Sequence, residues 1–289
     1  MRVAYFTAGT VGAGHLVRGL AIARGLARAG FAGEYRIFGP PLPFPAAETA
    51  SYQAVTVKDD PLLRHPAKAE DSELAQSLKA FGPDLLLVDL FWAPLYHLLP
   101  TLGCPSWLLV RCCPPIWLVG PPETPFRSQQ YQRLLAIEPF PYEAVDASLP
   151  PIVIANPEEC RPPEALRERV GAGPDEALWV VLHAGEPGEI SDLHLEAVTQ
   201  GEAKLVRCDL FQREALFPAA EWLGGADRIF SGAGYNAYWE AKWLGHFERT
   251  HFTAFARQID NQKLRLATFG SYRPLANGAD ALAELILAG

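Results

Sequence analysis

The sequence lacks a cysteine pair at CxxC spacing, and none of Cys104, Cys112, Cys113, Cys160 and Cys208 has a histidine at metal-ligand distance along the chain. That excludes a sequence-encoded zinc ribbon or redox pair. An odd number of thiols is what a reducing compartment keeps, so a cytoplasmic protein is expected. No charged leader precedes an apolar stretch and a cleavage site, because the chain enters a strand almost at once. There is no run fit to span a bilayer either: the most apolar segment, Ser106 to Gly120, is broken by Arg111, Pro114 and Pro115. Peripheral contact with a membrane stays open. Basic charge is in deficit, 25 Lys and Arg against 33 Asp and Glu. A net charge of -8 opposes a polyanion-binding surface, and nucleic acid is not an expected partner. Low-complexity segments and fixed-period repeats are absent.

What is present is an ordinary folded composition, 49% hydrophobic and 20% charged over 289 residues. That length carries one large or two medium domains, and two is the better reading. Gly9 to Leu26, GTVGAGHLVRGLAIARGL, is the most telling stretch. An apolar run of Val3, Ala4, Tyr5 and Phe6 has the pattern of a buried parallel strand. Gly9, Gly12 and Gly14 then allow a tight turn, and Leu16, Leu20, Ala23 and Ala27 recur at helical spacing up to Gly30. His15 falls at the helix entrance, where an imidazole reaches over the carboxyl ends of the strands. The turn is not a dinucleotide fingerprint, since Glu34 opens the second strand instead of closing it.

Further strands are expected at Tyr35 to Phe38, Ala54 to Val57, Leu85 to Asp89 and Ser106 to Val110, with a helix from Glu70 to Phe81 stopped by Gly82-Pro83. The alternation implies parallel βαβ units. Pro139, Pro141, Pro150, Pro151, Pro157, Pro162 and Pro163 stiffen the chain around a domain boundary, giving domains 1–148 and 149–289. The second half repeats the alternation: strand Ile152 to Ala155, helix Pro163 to Val170, strands Leu178 to His183, Lys204 to Cys208 and Arg228 to Phe230, a helix from about Gly234, a strand near Glu248 to Phe252, another helix, and a terminal helix Ala279 to Leu287. The expected fold is α/β, two Rossmann-like doubly wound sheets with a cleft between them.

In Ser231 to Gly245, SGAGYNAYWEAKWLG, a strand meets a helix through small residues. Such a helix N-terminus suits a phosphate or diphosphate, and Glu240 lies where a carboxylate can accept hydrogen bonds from two ribose hydroxyls. Gly234, Asn236, Glu240 and Ala241 resemble the GGxNSxxEA core of the GT-B glycosyltransferases that use sugar nucleotides, among them the plant secondary-product enzymes and the lipid-II-forming N-acetylglucosaminyltransferase. Gln258 and Asn261 resemble that superfamily's DQxxNA motif, and Gly14-His15 its GH turn. The three motifs stand in the family's order.

The resemblance implies a metal-independent, inverting transfer of a sugar from a nucleotide diphosphate sugar to the hydroxyl of an unidentified acceptor, with no cofactor. His15 corresponds to the general base. The turn from Gly232 to Asn236, which includes Gly234 and Tyr235, corresponds to the diphosphate site, Glu240 to the ribose site, and Gln258, with Asn261, to the donor-sugar site. Phe217 matches by position a loop that meets the nucleotide base. Gly12, Gly14, Arg18, Asp89, Gly185 and Arg257 are supporting candidates. Asp89, at a strand end, either supports His15, touches the acceptor, or caps the following helix. His183 to Glu186 lines the cleft floor, with His183 itself read as a packed strand residue. Pro114 to Val119 is either an apolar acceptor wall or interdomain packing.

The chain departs from the family at three positions. Gly232 stands for a phosphate-contacting histidine, Ala237 for a serine, and Arg257 for an acidic residue. The segment that crosses back onto the first domain in many relatives reads as abbreviated. GAGHLVR also resembles the GxGHxxR turn of the sugar-nucleotide hydrolase of pseudaminic-acid synthesis, which makes hydrolysis an alternative. A sugar-nucleotide binding protein with decayed catalysis is another.

Overall fold

The computed structural model describes residues 1–10, 12–42, 51–139, 145–208 and 216–289; Val11 of the first glycine turn and Pro141 of the proline-rich stretch lie outside them. Among the described residues the strands form two sheets. In the first, β1 (Arg2–Phe6) lies between β2 (Glu34–Gly39) and β4 (Leu85–Asp89). β3 (Tyr52–Ala54) continues beyond β2, while β5 (Ser106–Val110), β6 (Arg133–Ala136) and β7 (Ala147–Ser148) continue beyond β4. The second sheet orders β11 (Thr250–Thr253), β10 (Arg228–Gly232), β8 (Leu178–Leu182) and β9 (Lys204–Cys208). All pairings are parallel.

Parallel strands need crossovers, and the order of each sheet reverses once. The first reverses between β1 and β4, the second between β8 and β10. A crevice opens at such a reversal because successive connections leave toward opposite faces, and open α/β sheets bind ligands there. The four strand ends at the two reversals are therefore the places to look for chemistry.

The helices are α1 (Gly14–Arg28), α2 (Glu73–Phe81), α3 (Pro163–Val170), α4 (Pro187–Thr199), α5 (Tyr235–Trp243), α6 (Gln262–Thr268) and α7 (Gly278–Ala288). α1 buries Leu16, Ile22 and Leu26 against Val3, Tyr5 and Leu87 of the first sheet. Each such side chain contributes about 1.5–3 kcal/mol on burial. The opposite face of that sheet packs Ala4, Phe6, Leu86 and Val88 on Leu74, Leu78 and Phe81 of α2.

Several expectations are corrected. α2 begins at Glu73, not Glu70, because the Ser72 side chain accepts from the Ala75 amide and caps the helix there. Ile152 to Ala155 is not a strand. It is fully buried, but Ile152 N–H donates to the Tyr235 hydroxyl and the Asn277 amide serves both N–H and C=O of Val153, so side chains take the place of a ladder. β6, β7 and α4 have no counterpart in the sequence reading. α4 hides because Leu195 and Val198, 64% and 50% exposed, blur its apolar stripe. The chain does cross back: α7 packs on α1, and Ala279, Leu282, Ala283 and Ile286 join the core of the first sheet.

Candidate active site

At the first reversal, the turn after β1 delivers His15 and the end of β4 delivers Asp89. Both are buried, and His15 Nδ1 lies 2.5 Å from Asp89 Oδ2. A carboxylate only accepts, so Nδ1 carries the proton and Nε2 keeps its lone pair. Arg18, one helical turn beyond His15, donates from Nε to Asp89 Oδ1 (3.0 Å) and from Nη2 to Oδ2 (2.9 Å). The Tyr5 hydroxyl adds a bond of 2.5 Å to Oδ2. Burial opposes the charge on Asp89, yet Arg18 and His15 hold its carboxyl well below the usual range. For His15 burial also leads, with Arg18 adding to it against the pull of Asp89, and its pKa is lowered from 6.5. The imidazole is thus a neutral base at pH 7. Asp89 supports His15 and caps no helix. Leu90, at φ 63°, turns the chain so that Phe91 packs on the His15 ring at 4.9 Å.

At the second reversal, β10 ends at Gly232 and α5 starts after Gly234, whose helix has no side-chain cap. Its first amide groups are therefore available to an anion. Glu240 lies in the second turn of α5, 7% exposed, and its Oε1 has no hydrogen-bond partner among the described residues. Burial pushes its carboxyl up to about 7. β8 ends one residue earlier than expected, and His183 leaves the strand to stand at the cavity wall with Gly185. Its Nε2 is 2.7 Å from Glu189 of α4, and Arg257 grips the same carboxylate through both terminal nitrogens. Burial opposes ionisation of Glu189, but bonds from Arg257 and His183 bring its pKa down to about 2.

The two reversals face one cavity of about 360 Å³, and Gly12, Gly14, Phe217 and Gln258 also line it. At Gly12, φ +73°, a β-carbon would sit 2.4 Å from the carbonyl oxygen of Ala184, so only a glycine lets the turns of the two halves approach this closely. Asn236 donates to the Gly14 carbonyl (2.8 Å) and accepts from Arg18 Nη1 (3.3 Å), which commits its amide to joining the halves. Tyr235 turns inward: its hydroxyl donates to the Ile137 carbonyl (2.8 Å), and Arg18 stacks over its ring. Asn261 is outside the cavity lining. Its side chain accepts from Leu264 N–H and caps α6. Gln262, the next residue, is at the wall instead. Trp117 of the apolar run Pro114 to Val119 stacks edge-on against Phe91, while Ile116 is 70% exposed.

A set of residues that sequence reasoning missed holds the walls together. Glu138, just beyond β6, and Arg265 of α6 form a fully buried pair with Nε to Oε1 at 2.6 Å. Arg265 also reaches Asp260, which takes a second bond from Arg111 at 2.7 Å. The signal was present, since Glu138 is a lone acid ending the apolar run Leu134 to Ile137. Among the described residues no group of three or more His, Cys, Asp or Glu is placed to hold a metal, and no helix is long and apolar enough to cross a membrane.

No protein-family model matches the sequence, and no curated protein matches it. Solved structures do. The glycosyltransferase SsfS6 of Streptomyces sp. SF2575 aligns with a TM-score of 0.58 at 14% identity, over 99% of this chain and 91% of that one. The spinosyn forosaminyltransferase SpnP gives 0.58 at 16% identity, over 99% and 90%. The glycosyltransferase VinC, in complex with dTDP, gives 0.53 at 16% identity, over 99% and 90%. At such identities the likeness is one of architecture, and with its two parallel sheets around a shared cavity this chain has the GT-B fold.

Proposed function

We propose that the protein is a glycosyltransferase that moves a sugar from a nucleoside diphosphate sugar to an acceptor hydroxyl. The observation that carries this reading is Glu240. A buried carboxyl with an unpartnered oxygen costs stability, and here it lines a cavity next to the open N-terminus of α5. A ribose donating two hydroxyls to Glu240, with its diphosphate at the helix N-terminus, meets both needs at once. The fold is that of VinC, solved with dTDP, and of a Phytolacca americana enzyme solved with UDP-2-fluoro-glucose and pterostilbene, which aligns at a TM-score of 0.53 and 13% identity.

In this reading His15 Nε2 takes the acceptor's hydroxyl proton, and Asp89 holds the imidazolium that forms. The acceptor oxygen bonds to the anomeric carbon as the bond from that carbon to the phosphate oxygen breaks, its electron pair leaving with the diphosphate. One displacement from the side opposite the leaving group inverts the anomeric centre. The leaving charge falls on the amides of α5, which are fixed before the reaction and need no metal ion. An intact His15–Asp89 pair favours a working catalyst over a decayed one.

Calorimetric titration with UDP, dTDP and GDP, without metal, tests the reading. One nucleotide should bind, and Glu240→Ala should weaken it by about 1.5–3 kcal/mol, the value of a hydrogen bond to a charged group. Failure of all three to bind overturns the assignment.

A further inference from the structure

The cavity holds a second carboxylate-bound imidazole that the proposed chemistry leaves unused. His183 Nε2 meets Glu189 Oε2 at 2.7 Å. Since Glu189 only accepts, Nε2 carries a proton and Nδ1 is the open nitrogen of the ring. That edge lies against Gly232: a β-carbon there would sit 2.7 Å from both Cε1 and Nδ1. The absence of a side chain at position 232 is what admits the ring, and it brings Nδ1 to the turn that leads into α5.

The charges around the ring nearly cancel. From α4 it is faced by Glu189, and from the loop after β11 by Arg257, which neutralises that same carboxylate. β10 presents Gly232, which carries no charge. Phe255 covers one side of the ring at 5.0 Å. Whether this wall shows an anion a positive charge therefore depends on one proton, that on His183 Nδ1. A neutral ring would turn its lone pair toward the space that the α5 amides prepare for an anion.

We propose that His183 is a phosphate-binding residue of this site, held by Glu189 and admitted by Gly232, and that it takes up a proton from solvent when a nucleoside diphosphate enters. The protonated ring then donates from Nε2 to Glu189 and from Nδ1 to a phosphate oxygen. The inference rests on the nucleotide-sugar reading of the cavity. Burial lowers the proton affinity of the empty site, against the pull of Glu189. The free protein thus holds His183 neutral at pH 7, and the proton arrives with the ligand.

The test is titration of UDP, dTDP and GDP at pH 7.0 in buffers of different ionisation enthalpy, where the dependence of the measured heat on buffer counts the protons taken up. The wild type should take up about one proton more than His183→Asn, because any change in ionisation of Glu240, whose pKa is about 7, or of the nucleotide is common to both. His183→Asn should also bind about tenfold or more weakly, as expected for a lost charge-assisted hydrogen bond. Gly232→Ala, which crowds the ring off its seat, should show the same two losses with the imidazole still present, and His15→Asn should keep the uptake. Equal proton uptake in wild type and His183→Asn, or equal affinity, overturns the inference and leaves the nucleotide reading standing. No binding by any of the three overturns both.

Discussion

Replacing Glu138 by glutamine changes one oxygen of a fully buried carboxylate to an amide, and the surroundings make the cost calculable. Oε1 receives Trp239 Nε1 at 2.7 Å and Arg265 Nε at 2.6 Å. Oε2 receives Cys112 N–H at 2.5 Å and Arg265 Nη2 at 3.2 Å. Whichever way the glutamine amide is turned, its NH2 meets two donors, and Arg265 loses one of its two carboxylate partners inside the protein. Breaking a buried ion pair in this way costs about 3–5 kcal/mol. Arg265 keeps Asp260 and the Ala233 carbonyl, which places Glu138→Gln at the lower end, about 3 kcal/mol. For a chain of this size that corresponds to a fall in Tm of roughly 6–12 °C. Urea denaturation with an unchanged m-value, alongside a thermal scan, reads both quantities. Glu138→Leu with Arg265→Met removes the charges together and leaves Asp260 with Arg111, but it also takes the partners from the Trp239 and Cys112 N–H groups and the Ala233 carbonyl, so the double variant should recover only part of the loss. A Glu138→Gln protein within about 1 kcal/mol of wild type would show that the pair does not hold the two halves together as argued.

Glu240 binds its proton more tightly in the folded chain, with a pKa of about 7 against 4.5. Stability should therefore fall as pH rises from about 4.5 to about 7, by an amount on the order of 3 kcal/mol. Glu240→Gln should flatten that slope in urea titrations across the range, and an unaltered slope would refute the burial argument. Transfer activity, in the proposed reading, needs neutral His15, whose pKa is lowered. With donor and acceptor saturating, so that Glu240 is already engaged, the rate should rise with pH through an apparent pKa below 6.5 and level off by neutrality, while His15→Gln should lose about 10²–10⁴-fold. An acid limb centred above pH 7 in the pH–rate profile would contradict the geometry of the Arg18, Asp89 and His15 group.

Much of the fold was legible because its signals are local. The apolar runs of β1, β4 and β5, the glycine turns and the Gly82 stop all lie within a few residues of what they specify. β7, two exposed residues of strand, leaves no such trace. The site was legible in part. His15 and Glu240 stand out beside glycine turns, but which of the roles open to Asp89 it takes depends on which strand ends meet, which follows from sheet order and not from spacing, whereas Glu189 serves His183 from only six residues away and was missed because its helix was. Asn261 shows the converse. Asparagine suits both a ligand and a helix N-terminus, and the start of α6 claims its side chain. Tyr235 and Asn236, read as ligand contacts, do line the cavity, and their polar atoms also join the halves across it.

The return of α7 onto α1 has a consequence for the order in which the chain is made. Synthesis delivers the first sheet and α1 well before α7, so while the second half is still on the ribosome the apolar flank of α1 that Ala279, Leu282 and Ile286 will cover stands open to water. The half that is made first is thus completed last, and a nascent chain stalled before Gly278 should be the species most prone to chaperone capture and aggregation.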